Sequence, residues 1–230
     1  MRIASYNIRK AVGLDWRRDP ERIADVLAEI DADLVVLQEC DKRVGTRAGV
    51  LDLDYLEKEL GYELADVSIR PDSHGWHGNA ILYREPSQFR RATRVVLPSL
   101  EPRGAVSLQL ETPALEVVGV HLGLDPRTRR LQLEALGDYL QNLTHPVVVA
   151  GDFNMWRAKD AMQTALNTDC QIILPGKSYH SARPNAAFDR FILSNLPEPR
   201  RAYVHRSSLA RRASDHLPIV VDLNLPEPAA

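Results

Sequence analysis

The stretch "VVVAGDFNMW", Val147 to Trp156, ends a β-branched run on an aspartate and an asparagine two positions apart, Asp152 and Asn154. Side chains alternate faces along a strand, so both would point the same way. The pattern of an apolar strand handing over to a polar group recurs along the chain. Asn7 follows "IASY", Glu39 follows "LVVLQ" and His121 follows "VVGV". Asp189 sits within "AFDRFILS", and Asp215-His216 precede the last strand. A carboxylate taken out of water needs a cation, a donor or a water beside it. So many in one chain point to convergence on a common site, because function gathers where strands pass into loops.

The donor types narrow the chemistry. Glu39, Asp152, Asp189 and Asp215 are hard oxygen ligands, and Asn7 and Asn154 are neutral oxygen donors. Such a set suits Mg²⁺ or Mn²⁺ rather than zinc, which favours several His or Cys. His121 and His216 add groups that titrate near neutrality and can move a proton or steady a phosphate. The chain has no G-x-S-x-G elbow, no Gly-rich phosphate loop and no H-E-x-x-H. Carboxylates, amides, a hard cation and two imidazoles are what phosphoester hydrolysis by an activated water calls for. Taken singly, each residue also has a plainer reading. Gly-Asp-x-Asn is ordinary turn chemistry, and His121 at the end of an apolar strand is equally a core histidine.

Several elements must hold these groups. Residues 2–8 alternate as a strand, and 19–30 read as a helix with Asp19 as cap and Pro20 at its first position. Residues 32–39 form a buried strand, and a second helix covers roughly 51–60. "NAILYR", "RATRVVL", "AVSLQLE" and "LEVVGVHL" follow as an antiparallel meander separated by turn residues. The longest helix covers 125–143, with Asp125 as cap and a Leu131, Leu136, Leu140 stripe. "HPVVVAGDFN", "AFDRFILS" and "LPIVVDLN" complete the strands, and Met155 and Trp156 are expected to pack the wall beneath the site. Strands throughout, with helices early and late, fit two sheets packed face to face with helices outside.

A chain of 230 residues, 44% hydrophobic, can build one α/β domain, here expected over 1–225 with a frayed tail at 226–230. Its apolar runs are too short and too broken by charge to span a bilayer. "MRIASYNIRK" carries no apolar leader, and Cys40 and Cys170 lack metal-like spacing, so a reducing cytoplasmic setting is expected. A net charge of −2 argues against a generic nucleic-acid coat while leaving room for a local basic patch.

"SYNIR" at 5–9, "LQE" at 37–39, "VHL" at 120–122, "GDFN" at 151–154, "FDRFILS" at 188–194 and "SDHLP" at 214–218 occur in order. Together with "GNAILYR" at 78–84 they make the chain resemble the DNase I-like endonuclease/exonuclease/phosphatase family, from Asn7 to Pro218. The resemblance implies an α/β fold, a four-layer α/β/β/α sandwich of two mostly antiparallel sheets. It implies Glu39 as main Mg²⁺ ligand, with Asn7 beside it on metal or phosphate and Asp215 as a further ligand or its support. Asp152 would orient or deprotonate the attacking water, and Asn154 would hold that water and the phosphate. His216 would steady the scissile phosphate with Asp189 orienting its ring, and His121 would donate to the leaving oxygen or the phosphate. Phe188 stands where the family pattern usually has an aliphatic residue, a change that leaves the Asp189–His216 pairing in place.

For substrate contacts, Arg9 and Lys10 are the first choice for a non-scissile phosphate, with Asn79, His77, Arg127 and Arg212 as further candidates. The implied activity is a Mg²⁺-dependent phosphodiesterase working by in-line attack of water without a covalent intermediate. DNA is the first expected substrate, a lipid headgroup the second and a sugar or inositol phosphate the third. A non-catalytic binding module of the same fold is the reading from another class, and loss of a main polar position would favour it. None is missing.

Overall fold

Two parallel strand pairs, each closed by a crossover helix, form the centres of the two sheets. In this computed structural model, which describes residues 1–84, 88–99, 103–156 and 159–225, β1 (Arg2–Asn7) and β2 (Leu34–Gln38) run parallel, joined through α1 (Pro20–Ile30). β12 (Ile219–Asp222) and β4 (Ala80–Arg84) flank them antiparallel, and β11 (Arg201–Val204) and β3 (Tyr62–Leu64) close the edges. In the second sheet β7 (Leu115–His121) and β8 (Val147–Asp152) are the parallel pair, joined through α3 (Pro126–Gln141). β6 (Ala105–Thr112) and β10 (Asp189–Ser194) flank these antiparallel, with β5 (Gln88–Val95) and β9 (Gln171–Ile173) at the edges. The expected architecture of two mostly antiparallel sheets holds.

Local chemistry sets the helices. Asp19 accepts from Arg22 N and Asp125 from Thr128 N, with Pro20 and Pro126 opening α1 and α3. α2 (Leu53–Leu60) starts after Asp52, which accepts from Tyr55 N, and ends at Gly61 in the left-handed conformation that glycine favours. The stripe expected on α3 is corrected. Leu133, Leu136 and Leu140 are buried, whereas Leu131 is 53% exposed. Positions 133, 136 and 140 follow the i, i+3, i+7 spacing of one helix face, which 131 does not share.

The inter-sheet core joins Ile3 and Val36 to Val117, Val148 and Phe191. The outer core packs Leu133, Leu136 and Leu140 of α3 and Met162 of α4 (Lys159–Leu166) against Val118, Val120 and Val149. Gly119 lies where the two sheets pack tightly, since a Cβ there would come within 2.7 Å of Val36 Cγ1. Parity then fixes the site. With Ile3, Val117, Val148 and Phe191 facing inward, Asn7, His121, Asp152 and Asp189 must also face inward.

β3, β9, β11, α4 and α5 (Ala210–Ala213) were not anticipated. The expected strand at 91–97 is β5, beginning at Gln88, and the expected tail at 226–230 lies outside the described residues. Among the described residues no helix is long and apolar enough to cross a membrane.

Candidate active site

Strand register lines up the first groups. His121 of β7 lies opposite Asp152 of β8, and Asp152 lies opposite Asp189 of β10, so the three form one lateral row. From the facing sheet Asn7 Nδ2 donates to Asp152 Oδ2 at 3.1 Å. His216 arrives on the segment before β12. Ser214 Oγ donates to Asn7 O at 2.7 Å, and Leu217 N donates to Ser178 O at 2.9 Å, tying that segment to both walls. Its Nδ1 is 2.9 Å from Asp189 Oδ2, which also accepts from Ser178 Oγ.

The Asp152–Asn154 stretch is a turn as well as a site. β8 ends at Asp152, so simple alternation does not carry Asn154 to the same face. Asn154 takes a left-handed φ of 51°, and its N–H donates to Asp152 Oδ1 at 2.9 Å. Its Nδ2 donates to Leu122 O at 3.0 Å, while the intervening Phe153 is buried in the outer core. Asn tolerates this backbone state better than other side-chain-bearing residues. Met155 is buried as expected, and Arg190 Nη2 donates to its carbonyl at 2.6 Å. Trp156 departs from expectation. It is 69% exposed at the mouth of the site, with its ring edge-on to Phe188 at 4.7 Å.

The two imidazoles are charged differently. Burial disfavours the cation at His216, but Asp189, Asp152 and Asp215 outweigh it and raise the pKa to about 9. At His121 burial wins over the pull of Asp152, with Arg103 adding to it, and the pKa falls to about 3. At neutral pH His216 is therefore a cation with its Nδ1–H held by Asp189 and its Nε2–H turned towards Asp152, whereas His121 is neutral. Their Nε2 atoms stand 3.7 and 3.5 Å from Asp152 Oδ2, too far for hydrogen bonds. A cavity of about 450 Å³ opens there, lined by Asn7, Glu39, His121, Asp152, Asn154, Asp215 and His216. Asp189 sits behind His216, outside that lining.

Two oxygen-rich groups could hold a metal. Asp152, Asp189 and His216 offer ligand atoms within 4.8 Å of one another. His216 is a poor ligand in its cationic form, and Asp189 already accepts from His216 and Ser178. Glu39, Asp215 and Asn7 fit a hard dication better, because all three present oxygens and both carboxylates keep contact with solvent. Lys10 Nζ caps Glu39 Oε2, and Arg9 Nε stands 3.6 Å from Asp215 Oδ2, so each carboxylate is balanced by a neighbouring cation.

That pairing changes the expected role of Arg9 and Lys10, which face the site's own carboxylates. Arg9, Lys10 and Ala11 all have left-handed φ values of 47°, 58° and 58°, which turn the chain back on itself after β1. Asn79 is fully buried and donates to Gly104 O at 3.0 Å, so it braces the loop instead of meeting substrate. Arg127 and Arg212 are exposed and line neither cavity at the site, because each sits on the solvent side of its helix. His77 lines an adjoining cavity with Trp76. Sequence reasoning missed Ser178, Ser214, Tyr179, whose ring lies 4.9 Å from that of His216, and Arg103, which lines both cavities. No local pattern marks them, since each joins the site through tertiary contacts.

Residues 4–216 match the profile of the Endonuclease/Exonuclease/phosphatase family. The chain is 28% identical to the uncharacterized protein YbhP of Escherichia coli K12, over 97% of this chain and 96% of that one. It is similar in fold to D. rerio TDP2 complexed with a single-strand DNA product, with a TM-score of 0.71, 19% identity, and 97% and 98% of the two chains covered. The Bacteroides thetaiotaomicron mannosyl-6-phosphatase Bt3783 is similar to the same degree, with a TM-score of 0.71, 19% identity and coverages of 98% and 100%.

Proposed function

Because the chain belongs to the endonuclease/exonuclease/phosphatase family, a family of phosphoric ester hydrolases, we propose that it is a Mg²⁺-dependent phosphodiesterase. The observation that carries this reading is the gap between Asp152, His121 and His216, where a carboxylate and two imidazoles face one opening without bonding each other. Asp152 is the base. Asn7 Nδ2 fixes Oδ2 and Asn154 N–H fixes Oδ1, and Oδ2, which the two imidazoles leave unbonded, is the oxygen that would accept the proton of a water in the gap. The water oxygen attacks phosphorus, its proton passes to Asp152, and the bond to the leaving oxygen breaks on the opposite side, the electron pair departing with that oxygen as an oxyanion that takes its proton from solvent. Cationic His216, oriented by Asp189, donates through Nε2 to the phosphoryl oxygens as their charge builds. His121, being neutral, donates a hydrogen bond to the phosphate or leaving oxygen and is not itself the acid. Glu39, Asp215 and Asn7 would hold the Mg²⁺, which supplies charge neutralisation at the phosphate; Mn²⁺ suits the same oxygens.

DNA is the first substrate proposed, in keeping with the TDP2 likeness, and the phosphatase likeness favours a phosphomonoester as the second reading. The free thiols of Cys40 and Cys170 fit a cytoplasmic setting, and the inter-sheet core supports reading 1–225 as one domain. Bis(4-nitrophenyl) phosphate with Mg²⁺ or EDTA, using wild type and His216→Ala, tests the chemistry. Plasmid, single-stranded DNA, RNA, sphingomyelin and sugar phosphates then sort the substrate. Turnover indifferent to both chelation and the substitution removes the mechanism.

A further inference from the structure

β10 alternates between the two cores. Asp189 faces the site, so Arg190 beside it must face the outer core, as Ile192 does, and there it is 1% exposed. That core is apolar, with Phe153, Met155, Met162 and Ile192 among its members. Burial works against the charge and pulls the Arg190 pKa down, with Asp189 opposing. An aliphatic side chain would fill the place at a lower desolvation cost. It could not bond the groups that Arg190 bonds. Nε donates to Ala187 O at 3.1 Å, Nη2 donates to Met155 O at 2.6 Å, and Nη1 lies 3.5 Å from Met162 Sδ on α4. Met155 follows Asn154 in the turn after β8, and Ala187 stands two residues before Asp189. One planar fork therefore ties the turn bearing Asn154 to the segment that leads into Asp189. Phe153 N, donating to Phe188 O at 2.9 Å, joins the same two segments, and Asn154 Nδ2 on Leu122 O holds the turn from its other flank.

From this arrangement we infer that Arg190 is a positioning residue for hydrolysis: its guanidinium sets where Asp152 and Asn154 stand relative to His216. It acts through the turn and lines neither cavity at the site. The inference rests on the phosphodiesterase reading of that site and adds to it a residue on the far side of β10. In-line attack needs base, phosphate and imidazolium aligned at once, so a small displacement of the turn costs rate more than it costs binding. A lysine ammonium at 190 lacks the rigid fork that spans both carbonyls, and a methionine donates to neither.

Arg190→Met and Arg190→Lys test it, with Leu140→Ala as a control. Leu140 is buried in the same outer core but lies at the end of α3 away from the site. Amide exchange followed by NMR needs no turnover. In Arg190→Met the amides of Phe153 and Asn154 should exchange about tenfold faster, while those of residues 147–150 in β8 keep their wild-type rates. With bis(4-nitrophenyl) phosphate and Mg²⁺, kcat of Arg190→Met should fall about tenfold with KM within about twofold of wild type, and Arg190→Lys should fall between the two. Leu140→Ala should lower the melting temperature and keep kcat. Exchange that quickens evenly along β8, or stays unchanged at Phe153 and Asn154, overturns the inference. So does a kcat kept by Arg190→Met, a kcat that falls with the melting temperature in Leu140→Ala, or failure of both Arg190 variants to fold. Absence of turnover in wild type counts against the enzyme reading, while the exchange pattern still decides whether Arg190 holds the turn.

Discussion

The two ends of β7 each bury a carboxylate beside an imidazole, and they are built for opposite purposes. At one end Glu116 is fully buried and accepts from Ser107 Oγ, Tyr139 OH and Gln109 Nε2, with His145 Nε2 2.6 Å away. Burial pushes that carboxyl up, yet the closed ring of donors holds it below the usual range. At the other end Asp152 takes one donor per oxygen and leaves both imidazoles at non-bonding distance, and Asp189 Oδ1 has no hydrogen-bond partner among the described residues. A buried carboxylate is structural where donors close around it. It is a candidate for chemistry where the packing leaves a gap that water or substrate can fill.

The sharpest test separates the ends by what they lose. Asp152→Asn should lower turnover of a phosphodiester by about 10³-fold while moving the melting temperature little, because the amide keeps the shape. Retention of a tenth of the activity would erase the distinction. Glu116→Gln should do the reverse, costing about 3 kcal/mol of stability as the charge-assisted bonds are lost and leaving kcat unchanged. A urea midpoint and a rate measured on one preparation decide it.

A pH series sharpens the contrast within the active end. His216 titrates at about 9 in the folded protein, against an unfolded value of about 6.5. Its contribution is fully present below the unfolded pKa and is lost as pH rises through the folded one. The metal-free protein should therefore lose on the order of 2 kcal/mol between about pH 6.5 and 9. His216→Asn should flatten that fall, and thermal denaturation across the window reads it. His121, depressed to about 3, acts on the other side. The unfolded chain binds its proton more readily, so stability rises with pH up to about 6.5, and His121→Asn should remove that share of the acid limb.

How much of this could be read from the chain depends on whether the cause is local. β1, β2, β7 and β8 showed themselves by apolar runs ending in polar residues, β10 by an apolar run around Asp189, and α1 and α3 by Asp-Pro starts. β3, β9 and β11, of three or four residues, are specified by their partners more than by their own pattern. At the site the convergence of His121, Asp152 and Asp189 was expected from polar groups gathered at strand ends, whereas their lateral row depends on strand register. The capping of Glu39 by Lys10 was not expected, because it needs the left-handed reversal at Arg9–Ala11. Glu116 shows the converse limit. Nothing beside it in sequence reveals that Tyr139 and His145 close around it.

The smallest expected effect concerns Asn154, where turn and site coincide. Asn154→Gly accepts the left-handed φ of 51° without strain but removes the Nδ2 bond to Leu122 O, a loss of about 1 kcal/mol. Asn154→Ala loses the same bond and must hold the left-handed backbone with a Cβ, costing about 1 kcal/mol more. If the side chain holds phosphate or water, both variants should lose about tenfold in kcat, or about 1.4 kcal/mol of barrier, despite their unequal stability. If Asn154 serves only the turn, glycine should keep the activity and alanine should lose it. Rate and denaturant midpoint for the two variants together assign the residue to one end of the comparison or the other.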